Sequence, residues 1–411
     1  MWKLISKLTG FAIFLSVETQ VYGMEEELKK LLSRPEKMNP AATTPAPTTP
    51  LIDRANMPNI FIAADFLYEN DLKGDRPKAP ERPSRNKLDL REIEFGFSGA
   101  IDHTAQATVL FAVHRETHGE EEGEIVFDVH EAYLEWTRLP ANLHLKLGKM
   151  YFDAGLLNAR HRHDWNFTNS PVVFDMIFND REFGEGASDV GAELSYLMPL
   201  PFYQEIKVGA FRGRRFGHSH GDGSEKRDPL YTLRVKNFLP IAALWGTQFG
   251  LSYLRYNNTS AQPPNSGDLD HSLGLDLSLK YEQGRQRQFI WGNELWQKIG
   301  ERDGRDQDNK EQGLYTYVQQ GWQHWDIGLR YDYYEQTQFA NPVLSDLKPS
   351  YEGQTAWIRW RPSEFSYYRL SLERHQASKD LSHPRHVAGK EAYSLTAQVV
   401  FMLGYHAPHQ Y

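Results

Sequence analysis

Cysteine is missing from all 411 residues, which excludes a disulfide framework, a thiolate zinc site and a cysteine nucleophile. Long apolar runs are missing too. Mean hydropathy is −0.62, and the apolar stretch near the start, Leu8 to Val17, holds about ten residues, too few to cross a bilayer as a helix. Positive charge is not in surplus: the formal net charge is −8, which leaves no electrostatic footprint for nucleic acid. Neither G-x-S-x-G nor H-E-x-x-H occurs, so no enzyme is expected. A transporter with a plug domain and about 22 strands would need a longer chain.

What the chain does contain is alternation. In YSLTAQVVFMLGYHAPHQY at the C-terminus, Leu395, Ala397, Val399, Phe401, Leu403 and Tyr405 fall on one face, while Ser394, Thr396 and Gln398 fall on the other. This is the period of two that a strand requires. From Ile60 onward about sixteen such segments follow, the first near 59 to 69 and the last near 391 to 404. Their connectors alternate between short (IDHT, RLPAN, PLPF, QGRQR, QH, RPSE) and long (70–87, 115–124, 153–188, 214–228, 257–270, 299–312, 336–350, 376–390). The expected fold is all-β, a closed antiparallel transmembrane barrel of about 16 strands in a bacterial outer membrane. A propeller or sandwich would not explain the alternation of turn lengths. Aromatics at 13%, with 21 Tyr and 10 Trp, suit two interfacial girdles. The terminal aromatic Tyr411 points to the barrel assembly machinery as a partner, beside membrane lipid.

The N-terminus divides into two further parts. Residues 1–23 read as a secretory signal, with Lys3 and Lys7 before the apolar stretch and Val21 and Gly23 as the small pair. Residues 24–57 read as a periplasmic helix, in which Glu25 and Glu26 precede Lys29 and Lys30 by four, followed by the linker NPAATTPAPTTP. The barrel is expected over 58–411.

Ile93, Phe95, Phe97, Ile101, Val109, Phe111, Val113, Leu275, Leu277, Leu279 and Tyr281 are expected to face lipid. A charge at the bilayer midplane costs about 2 to 4 kcal/mol for Arg or Lys, which turns the alternate, charged positions inward. Expected lumen-lining charges are Glu92, Glu94, Glu131, Glu135, Glu193, Asp276 and Glu294, with Lys146, Lys207, Arg234, Lys236, Arg330, Arg359 and Arg369 as the basic set. Charged walls of this kind select ions in a pore, and barrels of this size leave an aqueous channel for small solutes. The longest connector, 153–188, carries Val172, Val173, Phe174, Met176, Ile177 and Phe178 and is expected to fold inward and narrow the barrel.

Histidine is abundant, at 16 residues. His114 and His118, then His161, His163 and Asp164, then His218, His220 and Asp222 pair imidazole with carboxylate in stretches expected as external loops, a donor set suited to zinc or a similar ion. Zinc is the only cofactor the residues suggest, and zinc capture is the alternative to a plain channel.

The runs LREIEFGFSGAID, VHEAYLEWTRLPANLHLKLGKMYFDAGLLNARHRHD and VVFMLGYHAPHQY resemble outer-membrane porins related to the phosphate-selective type, in particular a branch linked to zinc-responsive expression. The distinctive pieces are Glu131-Ala132-Tyr133, Gly148-Lys149, Asn158, His161 to Asp164, His406 and His409. The resemblance implies sixteen strands and an assembly that can be a homotrimer. No arginine ladder runs along consecutive strands, so phosphate selectivity is not implied.

Overall fold

The computed structural model describes residues 58–411 except 74–85, 116–124, 179–185, 214–228, 258–268, 285, 302–308, 339–348, 379–388 and 405–411. The alternating segments form β1 (Asn59–Lys73), β2 (Leu88–Ala100), β3 (Ala105–Arg115), β4 (Ile125–Leu139), β5 (Leu143–Tyr151), β6 (Ser188–Leu197), β7 (Tyr203–Phe211) and β8 (Leu230–Ala242). They continue as β9 (Trp245–Asn257), β10 (Leu269–Gln283), β11 (Arg287–Glu301), β12 (Asn309–Trp322), β13 (Trp325–Gln338), β14 (Ser350–Ser363), β15 (Ser366–Ala377) and β16 (Glu391–Gly404). Each strand pairs antiparallel with its sequence neighbours, and β1 pairs with β16 to close the barrel. Closure leaves no sheet edge unpaired.

Sidedness follows the alternation. On β10, Leu273, Leu275 and Leu277 are exposed while Asp270, Ser272 and Asp276 between them are buried. On β16, Phe401 and Leu403 point out and Ser394, Thr396 and Gln398 point in. The apolar face is therefore the exterior, the reverse of a water-soluble barrel.

Among the shifts in strand register, two β-bulges bear on the lumen. Asp65 pairs with Glu92 and Phe66 with Leu90, which leaves Arg91 as the extra residue of β2. Leu110 pairs with Glu131 and Phe111 with Val129, which leaves His130 as the extra residue of β4. A bulge shifts the phase by one residue and re-aims side chains. As a result His130 and Glu131 are both buried, although adjacent strand residues ordinarily face opposite ways.

The one α-helix among the described residues, α1 (Val172–Phe178), lies between β5 and β6. The expected N-terminal helix, the signal segment and the linker all lie outside the described residues.

The short turns are locally fixed. Between β2 and β3, Asp102 Oδ1 accepts from Thr104 N at 2.6 Å, Thr104 Oγ1 at 2.7 Å and Ala105 N at 2.9 Å. The Thr104 hydroxyl and amide hold the Asp102 carboxyl below its ordinary value of 3.8. Because the folded value is depressed, the stabilisation is present above pH 3.8 and is lost as pH falls through the folded value. Asp102→Ala is expected to lower the urea midpoint of the barrel near neutral pH, with the gap from wild type closing on acidification. A gap unchanged down to pH 2.5 would assign the loss to something other than this carboxylate.

Candidate functional site in the barrel lumen

Residues 152–178 leave the end of β5 and turn into the barrel. They are apolar where a solvated loop would be polar. Phe152, Ala154, Trp165, Val173, Phe174, Ile177 and Phe178 are all fully buried, against inward residues Phe211, Leu254, Trp296, Tyr315, Tyr317 and Trp357 of the wall. Phe178 meets Trp296 edge-on with ring centres 5.1 Å apart, and Phe167 meets Tyr317 likewise at 5.5 Å. Pro171 precedes α1, and its carbonyl accepts from Phe174 N at 3.0 Å to begin the helix.

Irregular backbone can be buried only if its polar groups find partners. The inward charges supply them. Arg234 donates to Gly155 O at 3.0 Å, Arg91 to Thr168 O at 3.0 Å, Arg369 to Trp165 O at 2.7 Å and Arg330 to Asn169 O at 2.5 Å. Carboxylates take the amides: Asp153 N donates to Glu193 at 3.3 Å and Leu156 N to Glu294 at 2.9 Å. Asn158 clasps the base of the excursion, donating to Phe152 O at 2.7 Å and Ala187 O at 3.0 Å while its Oδ1 accepts from Ala187 N. Gly155 has φ +65, and a Cβ there would run into Glu294 Oε1. Only glycine lets the backbone approach closely enough for its N–H to reach Ser252 Oγ at 3.0 Å.

The contacts run round the wall. Besides β2, β6, β8, β9, β11, β13 and β15 above, Thr168 Oγ1 reaches Gln398 of β16 at 3.2 Å, Lys207 of β7 reaches Asp153 at 3.0 Å, and Phe167 packs on β12 and β14. The 152–178 segment is thus a septum seated on much of the circumference, more than the narrowing that its apolar content led us to expect.

A histidine–carboxylate cluster fastens the same segment to β2 and β4. A short 3-10 turn, Arg162–Asp164, carries His163, with His161 immediately before it. Glu94 Oε1 lies 2.9 Å from His161 Nδ1 and 3.4 Å from His130 Nδ1, and Glu94 Oε2 lies 3.2 Å from His163 Nδ1. His161 Nε2 stands 3.2 Å from Glu131 Oε2, and Glu131 Oε1 accepts from Tyr151 N at 3.1 Å. Glu94, His130, His161 and His163 are all buried.

Expected lumen residues do point inward, but few of them face open water. Glu92, Glu193, Asp276, Glu294, Lys236, Arg330, Arg359 and Arg369 are buried. Positive charges meet acids beside them: Arg234 with Asp276, Arg330 with Asp332 at 2.8 Å and Arg359 with Asp326 at 2.8 Å. Glu135 and Lys146 are less enclosed, Glu135 accepting from Gln106 at 2.8 Å and Lys146 lying 4.8 Å from the centre of the Tyr133 ring. Of the metal candidates, His161 and His163 lie inside the barrel rather than in a solvated loop, and Asp164 Oδ2 is 3.7 Å from His163 Nε2. His114 is buried on β3 with its ring 6.4 Å from that of His130. His118, His218, His220 and Asp222 lie outside the described residues. His130 was not among the sequence candidates. Its signal is a phase change along β4: Ile125 and Phe127 are apolar at odd positions, Leu134 and Trp136 at even ones.

A closed sixteen-stranded barrel with an apolar exterior and a charged interior has the fold seen in bacterial outer-membrane porins and channels. Solved structures bear this out at the level of fold. OmpF of Salmonella typhi, in a complex with daunomycin, aligns with a TM-score of 0.57 at 12% identity over 84% of this chain and 97% of its own. The trimer form of OmpT, an outer membrane protein of Vibrio cholerae, gives 0.52 at 8% over 84% and 99%, and an anion-selective porin from Comamonas acidovorans gives 0.51 at 10% over 84% and 99%. An uncharacterized protein of Aquifex aeolicus is 24% identical over 308 residues, 69% of this chain; the chain spans 63% of the length of that relative. No family model matches the sequence.

Proposed function

We propose that this chain spans the outer membrane as a channel for small hydrophilic solutes or ions, with segment 152–178 as its constriction. The observation that carries the reading is the inverted barrel itself: an apolar outside and a charged inside joined by a continuous ring of strand pairing. Short turns then face the periplasm and long connectors the exterior. Three of the residues that resemble the zinc-responsive branch of phosphate-type porins meet at the septum: Asn158 clasps its base, while Glu131 and His161 fasten its wall. Trimeric assembly is supported by the resemblance and by the trimer form of one fold neighbour. Neither G-x-S-x-G nor H-E-x-x-H occurs in the sequence to argue for catalysis.

Purified, refolded protein in planar bilayers is expected to give discrete steps, with a reversal potential across a salt gradient that reports the net sign of the lumen. Absence of steps from folded wild type and from septum variants alike would sink the channel reading. The second reading, capture of zinc or a related ion, is favoured by one observation, the buried cluster of Glu94, His130 and His161. Zinc-selective flux in the same bilayers would favour it over a plain channel.

A further inference from the structure

We propose that a divalent transition-metal ion is held between Glu94, His130 and His161, and that it latches the lumenal septum to the barrel wall. This role is that of a resident ion, independent of whether the barrel conducts metal, other solutes or nothing.

Geometry is the first argument. One ligand atom from each of Glu94, His130 and His161 lies within 4.8 Å of the other two. Two ligands on a tetrahedral ion with metal–ligand bonds of about 2.0 to 2.1 Å stand roughly 3.3 Å apart. Glu94 Oε1 to His161 Nδ1 at 2.9 Å and to His130 Nδ1 at 3.4 Å bracket that separation. His163 Nδ1 lies 3.2 Å from the other oxygen of Glu94, beside the group of three.

The shell around the ligands is the second. A metal-bound imidazole commonly donates its remaining N–H to a carboxylate, which fixes the tautomer and the ring. His161 has this arrangement: with Nδ1 toward Glu94, its Nε2 faces Glu131 at 3.2 Å, and Glu131 is itself held by the amide of Tyr151. The Tyr151 ring stands edge-on to both His130 and His161, with ring centres 6.3 and 5.3 Å away.

The third is how the chain brings the set together. The bulge on β4 turns His130 inward beside Glu131, and the 3-10 turn stacks His161 on His163 with ring centres 5.8 Å apart. Two wall strands and one infolded segment converge on one point. A small pocket lined by Ala63, Asp65, Glu92, Glu94, Arg162 and His163 shares Glu94 with the cluster. Mixed imidazole and carboxylate ligands suit zinc, cobalt, nickel or copper, whereas calcium and magnesium prefer all-oxygen shells.

The test uses the untagged full chain, refolded in detergent after chelation and titrated with Co²⁺, whose visible absorption reports nitrogen ligation. About one tight Co²⁺ per chain, displaced by Zn²⁺, is expected. His130→Asn and His161→Asn should each abolish that signal. Glu131→Ala should weaken binding about tenfold or more while leaving the bound-cobalt spectrum in place. His324→Asn, at an exposed turn where His324 Nδ1 lies 2.9 Å from Arg361 O, should change nothing. Folding of each variant is checked by the heat-dependent gel shift of an intact barrel. Protection of segment 152–178 from protease should rise with metal in wild type and not in His161→Asn. Folded wild type that binds no Co²⁺, binding that survives both histidine substitutions, or protection indifferent to metal would overturn the proposal. None of these readouts depends on conductance, so failure of the channel reading is distinguishable.

Discussion

Replacing residues 159–184 by a short glycine-serine bridge is expected to raise single-channel conductance several-fold. The deletion begins after Asn158, so the clasp from Asn158 to Phe152 and Ala187 survives. Strand pairing around the barrel does not involve the deleted residues, and sixteen strands are wide enough to leave an aqueous channel once side chains alone line them. The deletion removes Trp165, Phe167, Phe174, Ile177 and Phe178 from the lumen, which re-exposes Trp296, Tyr315 and Trp357. It also frees Arg91, Arg330 and Arg369 from the backbone carbonyls of Thr168, Asn169 and Trp165. Arg91 keeps Asp65 and Arg330 keeps Asp332 as partners, so the change in ion preference should be small beside the change in step size. Conductance equal to wild type in a barrel shown to be folded would mean that the narrowest point lies elsewhere. Lower stability is expected alongside, since buried aromatic contacts are lost, and a urea midpoint measured on the same sample separates that effect from pore size.

Much of the fold was legible because a barrel writes its sidedness into every second residue. Leu273, Leu275 and Leu277 against Asp270, Ser272 and Asp276 need no tertiary knowledge to be sorted. The short connectors announce themselves by Asp102, Pro140 with Asn142, and Gly284. The bulges were faint. One inserted residue changes pairing by one position, and its only trace along β4 is the apolar phase change from Ile125 and Phe127 to Leu134 and Trp136. The septum was half legible: its apolar content says that it must be buried, but not that four inward arginines serve as donors to its carbonyls. A list of inward charges reads as a water-filled lumen. The same list, once a backbone segment is laid across it, is a set of anchors, because each buried carbonyl needs a donor and each buried guanidinium needs acceptors. The histidines were misplaced for the same reason. His161 and His163 belong to a connector that goes inward, so neighbours from β2 and β4, not from other external loops, supply their carboxylates.

The second large effect should come from Arg234, where anchoring and charge burial coincide. Its guanidinium is almost fully buried and pairs with Asp276, itself fully buried, while Nε lies 3.4 Å from Asp153 and Nη2 donates to Gly155 O. Truncation by Arg234→Ala leaves Asp276 in a low-dielectric site without a partner, and breaking such a pair from one side costs about 3–5 kcal/mol. Loss of the donor to Gly155 O adds to this, since Gly155 is buried. The double variant Arg234→Met with Asp276→Leu removes both charges and is expected to recover most of the loss, because an apolar pair of similar volume carries no desolvation penalty. Arg234→Lys should fall between, as a single ammonium cannot serve the Asp276 carboxylate and Gly155 O with the same fork. Urea unfolding in detergent followed by tryptophan fluorescence checks the order. If Arg234→Ala matched wild type, the pair would be solvated in the folded protein, and the septum would not be seated against β8 as described.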